Sequence, residues 1–256
     1  MIDERAVIDS SAKLADNVSI GPFAIIGADV EIAAGTSVGP HTVIKGPTRI
    51  GRDNRIFQFA SIGDDPQDKK YGGERTYLEI GDRNVIREFC TLNRGTMQDN
   101  SVTRIGNDNW IMAYVHIAHD SIIGNNTIFA NNASLAGHVH VGDYAVLGGY
   151  TLVYQYCRIG AYSFCSFASG IHRDVPPFVM ADGYRAEPRG INTEGLKRNG
   201  FPAEEIRSIR MAYKLLYKSE LRLEEAINQI KSLAIKYPRL TLLSDFLISG
   251  KRSIIR

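Results

Sequence analysis

Two histidines and an aspartate lie within the segment HIAHDSIIG, residues 116–124, among isoleucine, alanine, serine and glycine. A neutral imidazole can remove a proton from a hydroxyl group, and a neighbouring carboxylate can orient the ring. Gly137 and His138 follow His119 and Asp120 after 18 residues each, in a second segment, AGHVHV. These residue types favour general-base chemistry without a covalent nucleophile. Solvated histidines at turns are the alternative interpretation.

The spacing of these groups belongs to a six-residue repeat. An aliphatic residue recurs at every sixth position of the first 62 residues: Ile2, Ile8, Leu14, Ile20, Ile26, Ile32, Val38, Ile44, Ile50, Ile56 and Ile62. The rhythm resumes over residues 80–92 and 105–171. A period of six fits neither a helix nor an alternating strand, but it fits short strands that turn around a shared axis. The repeat predicts a parallel β-helix with about 18 residues per coil.

Residues 18 positions apart should therefore be neighbours on successive coils. His119 then lies beside Gly137, and Gln155 lies one coil further on. Asp120 lies beside His138 in the same way. We expect one outward-facing cluster near a corner, where the backbone N–H of Gly137 could stabilise an oxyanion.

Two polar segments interrupt the repeat, at residues 64–77 and 93–103. We predict that both leave the β-helix as loops, and loops on a rigid scaffold often carry binding groups, although tolerated insertions are the alternative. After the segment RDVPPF, helical periodicity replaces the hexads. We predict a β-helix domain over residues 1–187 and a small α-helical domain over residues 188–256.

Composition narrows the classes of function. Cys90, Cys157 and Cys165 lack the spacing of a disulfide framework or a zinc site. The charged N-terminus and the absence of a long apolar run predict a cytoplasmic protein without membrane insertion. Residues 188–256 carry 14 Lys and Arg against 7 Asp and Glu. This basic region could meet nucleic acid, an acidic membrane or an acidic protein.

A set of segments resembles the UDP-N-acetylglucosamine acyltransferase family of hexapeptide-repeat enzymes, which opens lipid A synthesis. The segments are QFASIG, QDKKYGGE, IGDRNVIRE, RGT, HIAHD, ANNASLAGHVHV, QYCRIGAYS, DVPPF and GINTEGLKRNGF, and they span essentially the full chain. The resemblance implies a left-handed β-helix and a homotrimer with active sites between subunits. It also implies transfer of a 3-hydroxyacyl chain from acyl carrier protein to the sugar 3-hydroxyl of UDP-N-acetylglucosamine, without a metal or a cofactor.

The resemblance further implies roles for individual residues. His119 matches the general base, Asp120 its orienting carboxylate and Gly137 the oxyanion donor. The matched substrate contacts are Asp68, Lys70, His116, His138 and Gln155, with Asn192, Glu194 and Arg198 for the uridine and its phosphates. The matched basic face would dock acyl carrier protein, which makes a nucleic-acid partner unnecessary, and it comprises Lys197, Arg207, Arg210, Lys214 and Lys218.

Three positions depart from the family pattern. Asn93 and Tyr154 stand where the family usually has histidine. Phe167 matches the position that limits acyl length, and its bulk implies a shorter chain than glycine would allow.

Other functions stay open at the sequence level. A related hexapeptide acyltransferase would acylate an amino group of a UDP-sugar. A hexapeptide carbonic anhydrase would bind zinc through three histidines, but the spacing of His116, His119 and His138 does not fit that pattern. A non-catalytic β-helix module would tolerate loss of His119.

Overall fold

Each six-residue repeat forms one short strand and one turn, so that three repeats close a triangular coil. The computed structural model describes all 256 residues, Met1–Arg256. Strands of the same side of successive coils pair in parallel, for example His116 with Ser134 and Ser134 with Leu152. Because each regular coil contains three six-residue repeats, residues 18 positions apart are neighbours on successive coils.

The strands form three sheets, one for each side of the triangle. The first sheet contains β1 Val7–Ile8, β4 Ile25–Ile26, β7 Val43–Ile44, β10 Ser61–Asp64, β13 Thr91–Asn93, β16 His116–Ile117, β19 Ser134–Leu135, β22 Leu152–Val153 and β25 Gly170–Ile171. The second sheet contains β2 Lys13–Leu14, β5 Val30–Ile32, β8 Thr48–Ile50, β11 Tyr77–Ile80, β14 Val102–Ile105, β17 Ile122–Ile123, β20 His140–Val141 and β23 Arg158–Ile159. The third sheet contains β3 Ser19–Ile20, β6 Ser37–Val38, β9 Arg55–Ile56, β12 Val85–Ile86, β15 Trp110–Ile111, β18 Ile128–Phe129, β21 Val146–Leu147, β24 Phe164–Cys165, β26 Val179–Asp182 and β27 Glu187–Ile191.

The second residue of most two-residue strands points into the coil. On β18, Phe129 is fully buried whereas Ile128 is 38% exposed. The inward residues of all three sheets join one core of 40 buried residues. Burial of this apolar column is the main favourable term for a fold whose strands are too short to be stable alone.

The corners require a backbone conformation that most residues avoid. One residue of most turns has a positive φ, among them Asp120 at 58°, His138 at 63° and Tyr156 at 64°. Because this conformation recurs every six residues, it fixes which side chains stand at each corner. Asp120, His138 and Tyr156 therefore stack along the corner between the first and second sheets.

The two predicted loops are present. The first loop runs over residues 65–76, between β10 and β11, and the second loop runs over residues 94–101, between β13 and β14. Both are slightly shorter than predicted because the flanking strands extend into the polar segments. They lengthen two coils, so that Ser61 pairs with Thr91 and Thr91 pairs with His116.

Helices follow the last coil. They are α1 Thr193–Arg198, α2 Ala203–Tyr217, α3 Leu223–Lys236 and α4 Thr241–Ile248, with a short 3-10 helix at Pro238–Leu240. They pack around a second core of 13 buried residues. The predicted boundary at residue 187 falls on the first residue of β27, and the division into two domains stays a prediction. No helix combines the length and the apolar character needed to cross a membrane.

Candidate active site

The turn between β16 and β17 carries His119 and Asp120 side by side. His119 Nδ1 lies 2.8 Å from Asp120 Oδ2. An ionised carboxylate only accepts hydrogen bonds, so Nδ1 carries the proton and a neutral ring keeps its lone pair on Nε2. The imidazole is thus arranged to accept a proton at Nε2.

Asp120 is fully buried because the second loop covers it. Thr96 donates to its carboxylate twice, from the backbone N–H at 2.9 Å and from Oγ1 at 2.7 Å. Burial alone would raise the pKa of Asp120, but the hydrogen bonds from His119 and Thr96 outweigh it and hold this pKa below its ordinary value. The carboxylate therefore stays ionised beside His119. The coil spacing alone predicted an outward-facing Asp120, whereas the second loop covers this carboxylate.

Gly137 lies directly against the ring of His119, as the coil spacing predicts. A Cβ atom at position 137 would come within 2.5 Å of the imidazole Cε1. The turn thus requires glycine for the approach of the ring. The N–H of Gly137 donates to no backbone carbonyl.

His138 forms a second imidazole–carboxylate pair next to the first. Its Nδ1 lies 2.9 Å from Asp99 Oδ2 of the second loop, and its ring stacks on Tyr156 at 4.3 Å between centroids. The rings of His119 and His138 are perpendicular, with centroids 5.0 Å apart. The two pairs form one polar cluster.

His116 lies on β16, on the first sheet rather than at the corner. Its Nδ1 is 2.7 Å from Thr91 Oγ1. Burial, aided by the nearby His119, lowers the pKa of His116. This imidazole is therefore neutral at neutral pH.

An open groove of 440 Å³ follows the first sheet beyond Gly137. Its lining is mainly apolar and includes Ala136, Leu152, Tyr154, Ile171 and Tyr184. Gln155 is exposed at the corner beside it, and Tyr156 N–H donates to the Gly137 carbonyl at 3.1 Å. An apolar chain would fit such a groove. Phe167 stands at the next corner, 69% exposed, with Tyr150 edge-on at 5.8 Å between ring centroids.

Asp68 and Lys70 lie on the first loop. Asp68 is half-buried and accepts the N–H of Lys70 at 3.0 Å, whereas the Lys70 side chain is exposed. Buried Arg94 ties this loop to the coil through the Gly63 carbonyl and the Asp65 carboxylate. The loop is thus anchored at its base.

Asn192, Glu194 and Arg198 line a separate groove of 440 Å³ on the third sheet. Asn192 caps α1 by accepting the N–H of Gly195 at 3.1 Å and donates to the Tyr162 carbonyl at 2.9 Å. Glu194 pairs with Lys197 at 2.8 Å. Because the His119 cluster stands at the corner of the other two sheets, one chain does not bring the two sets together.

The basic residues of the helical region border the third-sheet groove. Arg210, Lys214 and Lys218 line an adjoining groove with Arg189 of β27. Lys197 and Arg207 are exposed on α1 and α2. None of these five predicted carrier-docking residues lies in the His119 cluster.

Sequence reasoning missed Thr96 and Asp99, which hold the two imidazole–carboxylate pairs from the second loop. The segment RGT, residues 94–96, at the start of the second polar interruption was the available signal. The three histidines of the alternative zinc enzyme do not form one group: the residues with metal-ligand spacing are His119, Asp120 and His138, within 4.8 Å of one another. Both imidazoles of that group already direct Nδ1 to a carboxylate.

Two family profiles match the chain. The profile described as UDP-N-acetylglucosamine O-acyltransferase, domain 2, matches residues 174–255. The profile described as bacterial transferase hexapeptide (six repeats) matches residues 11–46 and 103–137. Together they match parts of the coil and nearly all of the helical region.

Curated relatives and solved structures agree with these profiles. The Acyl-(acyl-carrier-protein)--UDP-N-acetylglucosamine O-acyltransferase of Halorhodospira halophila is 54% identical, over all of this chain and 99% of its own. The protein of the same name from Neisseria gonorrhoeae is 56% identical with the same coverage. LpxA from Acinetobacter baumannii superposes with a TM-score of 0.97 at 50% identity, over all of this chain and 99% of its own. The predicted fold class, a left-handed parallel β-helix followed by short helices, is confirmed. The chain belongs to the UDP-N-acetylglucosamine O-acyltransferase family.

Proposed function

We propose that this protein transfers a 3-hydroxyacyl chain from acyl carrier protein to the 3-hydroxyl of UDP-N-acetylglucosamine, in the cytoplasm, as the first step of lipid A synthesis. The observation that carries the proposal is the His119–Asp120 pair with Gly137 against its ring. The names of relatives at 54–56% identity supply the two substrates.

The reaction needs one base and one oxyanion donor. His119 Nε2 takes the proton of the sugar hydroxyl as its oxygen attacks the thioester carbonyl carbon. The Gly137 N–H stabilises the resulting oxyanion. The tetrahedral intermediate collapses, the C–S bond breaks, and the carrier thiolate takes the proton back from His119. The products are the sugar ester and the carrier thiol, and Asp120 stays ionised throughout.

We propose the remaining predicted residues as substrate contacts. His116, His138 and Gln155 surround the acceptor sugar, and the first-sheet groove beyond Gly137 takes the acyl chain toward Phe167. Asn192, Glu194 and Arg198 bind the uridine and its phosphates, where a guanidinium suits phosphate geometry. Asp68 and Lys70 approach from a neighbouring subunit.

The test is a transfer assay with UDP-N-acetylglucosamine and a series of 3-hydroxyacyl carrier proteins. We expect sugar ester with the wild-type protein and nearly none with His119→Ala, whereas His41→Ala, at another corner, should be unaffected. Absence of transfer from every donor would refute the proposed reaction. Undiminished transfer by His119→Ala would refute the base assignment.

A UDP-sugar with an amino group at position 3 is the second candidate acceptor. No contact around His119 separates the two acceptors, so both sugars belong in the same assay. Faster transfer to the amine would identify an N-acyltransferase. Faster transfer to the hydroxyl supports the proposal.

We further propose a homotrimer whose sites are shared between chains. The separation of Arg198 from His119 on different faces supports this assembly. Neither His119→Ala nor Arg198→Ala alone should be active. A mixture of the two variants refolded together should regain part of the activity, because some sites then combine an intact His119 from one chain with an intact Arg198 from another. No recovery in mixed oligomers would place a complete site in one chain.

A further inference from the structure

The second imidazole–carboxylate pair, His138 with Asp99, joins the second loop to the corner of the coil. Asp99 is partly exposed on the second loop, whereas His138 is buried at the corner. The groups that face His138 are Asp99 at 2.9 Å, Asp120 Oδ2 at 3.9 Å from Nδ1, the ring of His119 and the ring of Tyr156. His140 and Arg158 border the same polar cleft. Among these, Asp99 makes the only hydrogen bond to the ring.

Stacking alone does not determine which edge of the ring meets the substrate. The His138 and Tyr156 rings are nearly parallel, at 9°, and a half-turn of His138 about its Cβ–Cγ bond would exchange the two edges of its ring while the rings stay parallel. A carboxylate at Nδ1 stops this rotation and places the proton on Nδ1. The opposite nitrogen, Nε2, is then directed away from the loop.

One turn of the second loop links the two pairs. Thr96 donates to Asp120 through its N–H and Oγ1, and its carbonyl accepts the N–H groups of Asp99 at 3.4 Å and Ser101 at 3.1 Å. The positions of the two carboxylates are therefore set by the same turn, residues 96–101. The loop orients both imidazoles together.

We infer that Asp99 is a positioning residue, which fixes the orientation and the tautomer of His138 so that Nε2 is presented to the acceptor sugar. The inference rests on the proposed function only for the identity of the substrate. The hydrogen bond acts through its acceptor oxygen. An amide oxygen at position 99 should therefore replace much of the effect.

The test compares Asp99→Ala with Asp99→Asn. The control is Asp16→Ala, because the Asp16 carboxylate is exposed and has no hydrogen-bond partner. We expect Asp99→Ala to lower kcat/KM for the sugar nucleotide about tenfold, mainly through KM, the size expected for one lost hydrogen bond. Asp99→Asn should recover most of this loss. Asp16→Ala should match the wild-type protein.

A spectroscopic readout separates positioning from a purely structural role. In protein with ¹⁵N-labelled histidine, the His138 signals, identified by their loss in His138→Gln, should shift in Asp99→Ala toward the form protonated on Nε2. An unchanged tautomer, or equal damage in Asp99→Ala and Asp99→Asn, would overturn the inference. Because the spectra need no substrate, they decide the matter even if the proposed transfer is not observed.

Discussion

At the scale of single residues, the site depends on a close approach that only glycine permits. His119 obtains its orientation from Asp120, and it lies against the backbone of Gly137 because no side chain intervenes. Thr96 completes the arrangement by holding Asp120 ionised. The imidazole, the carboxylate and the backbone amide of the proposed mechanism are therefore in place before any substrate arrives, which is the condition for electrostatic stabilisation of a transition state.

Gly137→Ala should lower kcat about 100-fold, the loss typical of a disturbed oxyanion donor. The added Cβ would meet the His119 ring at 2.5 Å and displace it. Gly149→Ala is the matched control, because Gly149 occupies the same turn position at another corner and a Cβ there meets nothing closer than 3.4 Å. Steady-state kinetics of both variants check the expectation, and equal activities would contradict it.

Phe167→Gly should extend the range of accepted acyl chains. The ring is 69% exposed at the corner beyond the first-sheet groove, so its removal opens space without emptying the core. The measurement is kcat/KM across 3-hydroxyacyl carrier proteins of increasing length. We expect kcat/KM to rise for long acyl donors and to stay unchanged for short ones. An unaltered preference would show that Phe167 does not contact the acyl chain.

At the scale of elements, the coil provides a regular support and the second loop adds side chains that the repeat does not provide. Most strands contribute one inward residue, and most of their turns repeat one backbone conformation. The second loop follows no repeat, yet it supplies Thr96 and Asp99 to the site. Sites in which loops on a regular scaffold carry the functional side chains are common in proteins.

Ile26→Ala should destabilise the coil by about 2–5 kcal/mol, the range for truncating a buried aliphatic side chain. Ile25→Ala on the same strand is the control, because Ile25 is 44% exposed and Ile26 is 1% exposed. Chemical denaturation of the two variants gives the free energies of unfolding. Equal losses of unfolding free energy would show that Ile26 stabilises the core no more than the exposed Ile25 does.

At the scale of the whole molecule, the basic residues of the helical region and the His119 cluster lie in different regions. Arg210, Lys214 and Lys218 gather beside the third-sheet groove, away from the His119 corner. Such a face suits the docking of an acidic carrier protein, whose association would be steered by long-range attraction. The carrier would then deliver its acyl chain to a corner formed with another subunit.

Transfer from acyl carrier protein should weaken as salt rises, because exposed charges are screened over about 8 Å at physiological ionic strength. Lys214→Glu should raise KM for the carrier and flatten the salt dependence. Lys231→Glu, an exposed residue on α3, is the control. An acyl thioester without the carrier protein should show neither effect, and a salt dependence that persists with it would exclude this docking face.

The sequence by itself determined the coil and the core of the site. A strict period of six leaves one inward residue per strand, and a period of 18 fixes which corner residues are neighbours, so His119, Asp120, Gly137 and His138 could be brought together without coordinates. Only the tertiary structure decided that Thr96 and Asp99 fold back onto that cluster, and that Arg198 lies on another face. The physical reason is that residues 94–101 and the region after β27 follow no repeat, so their path depends on long-range hydrogen bonds and packing that local spacing does not encode.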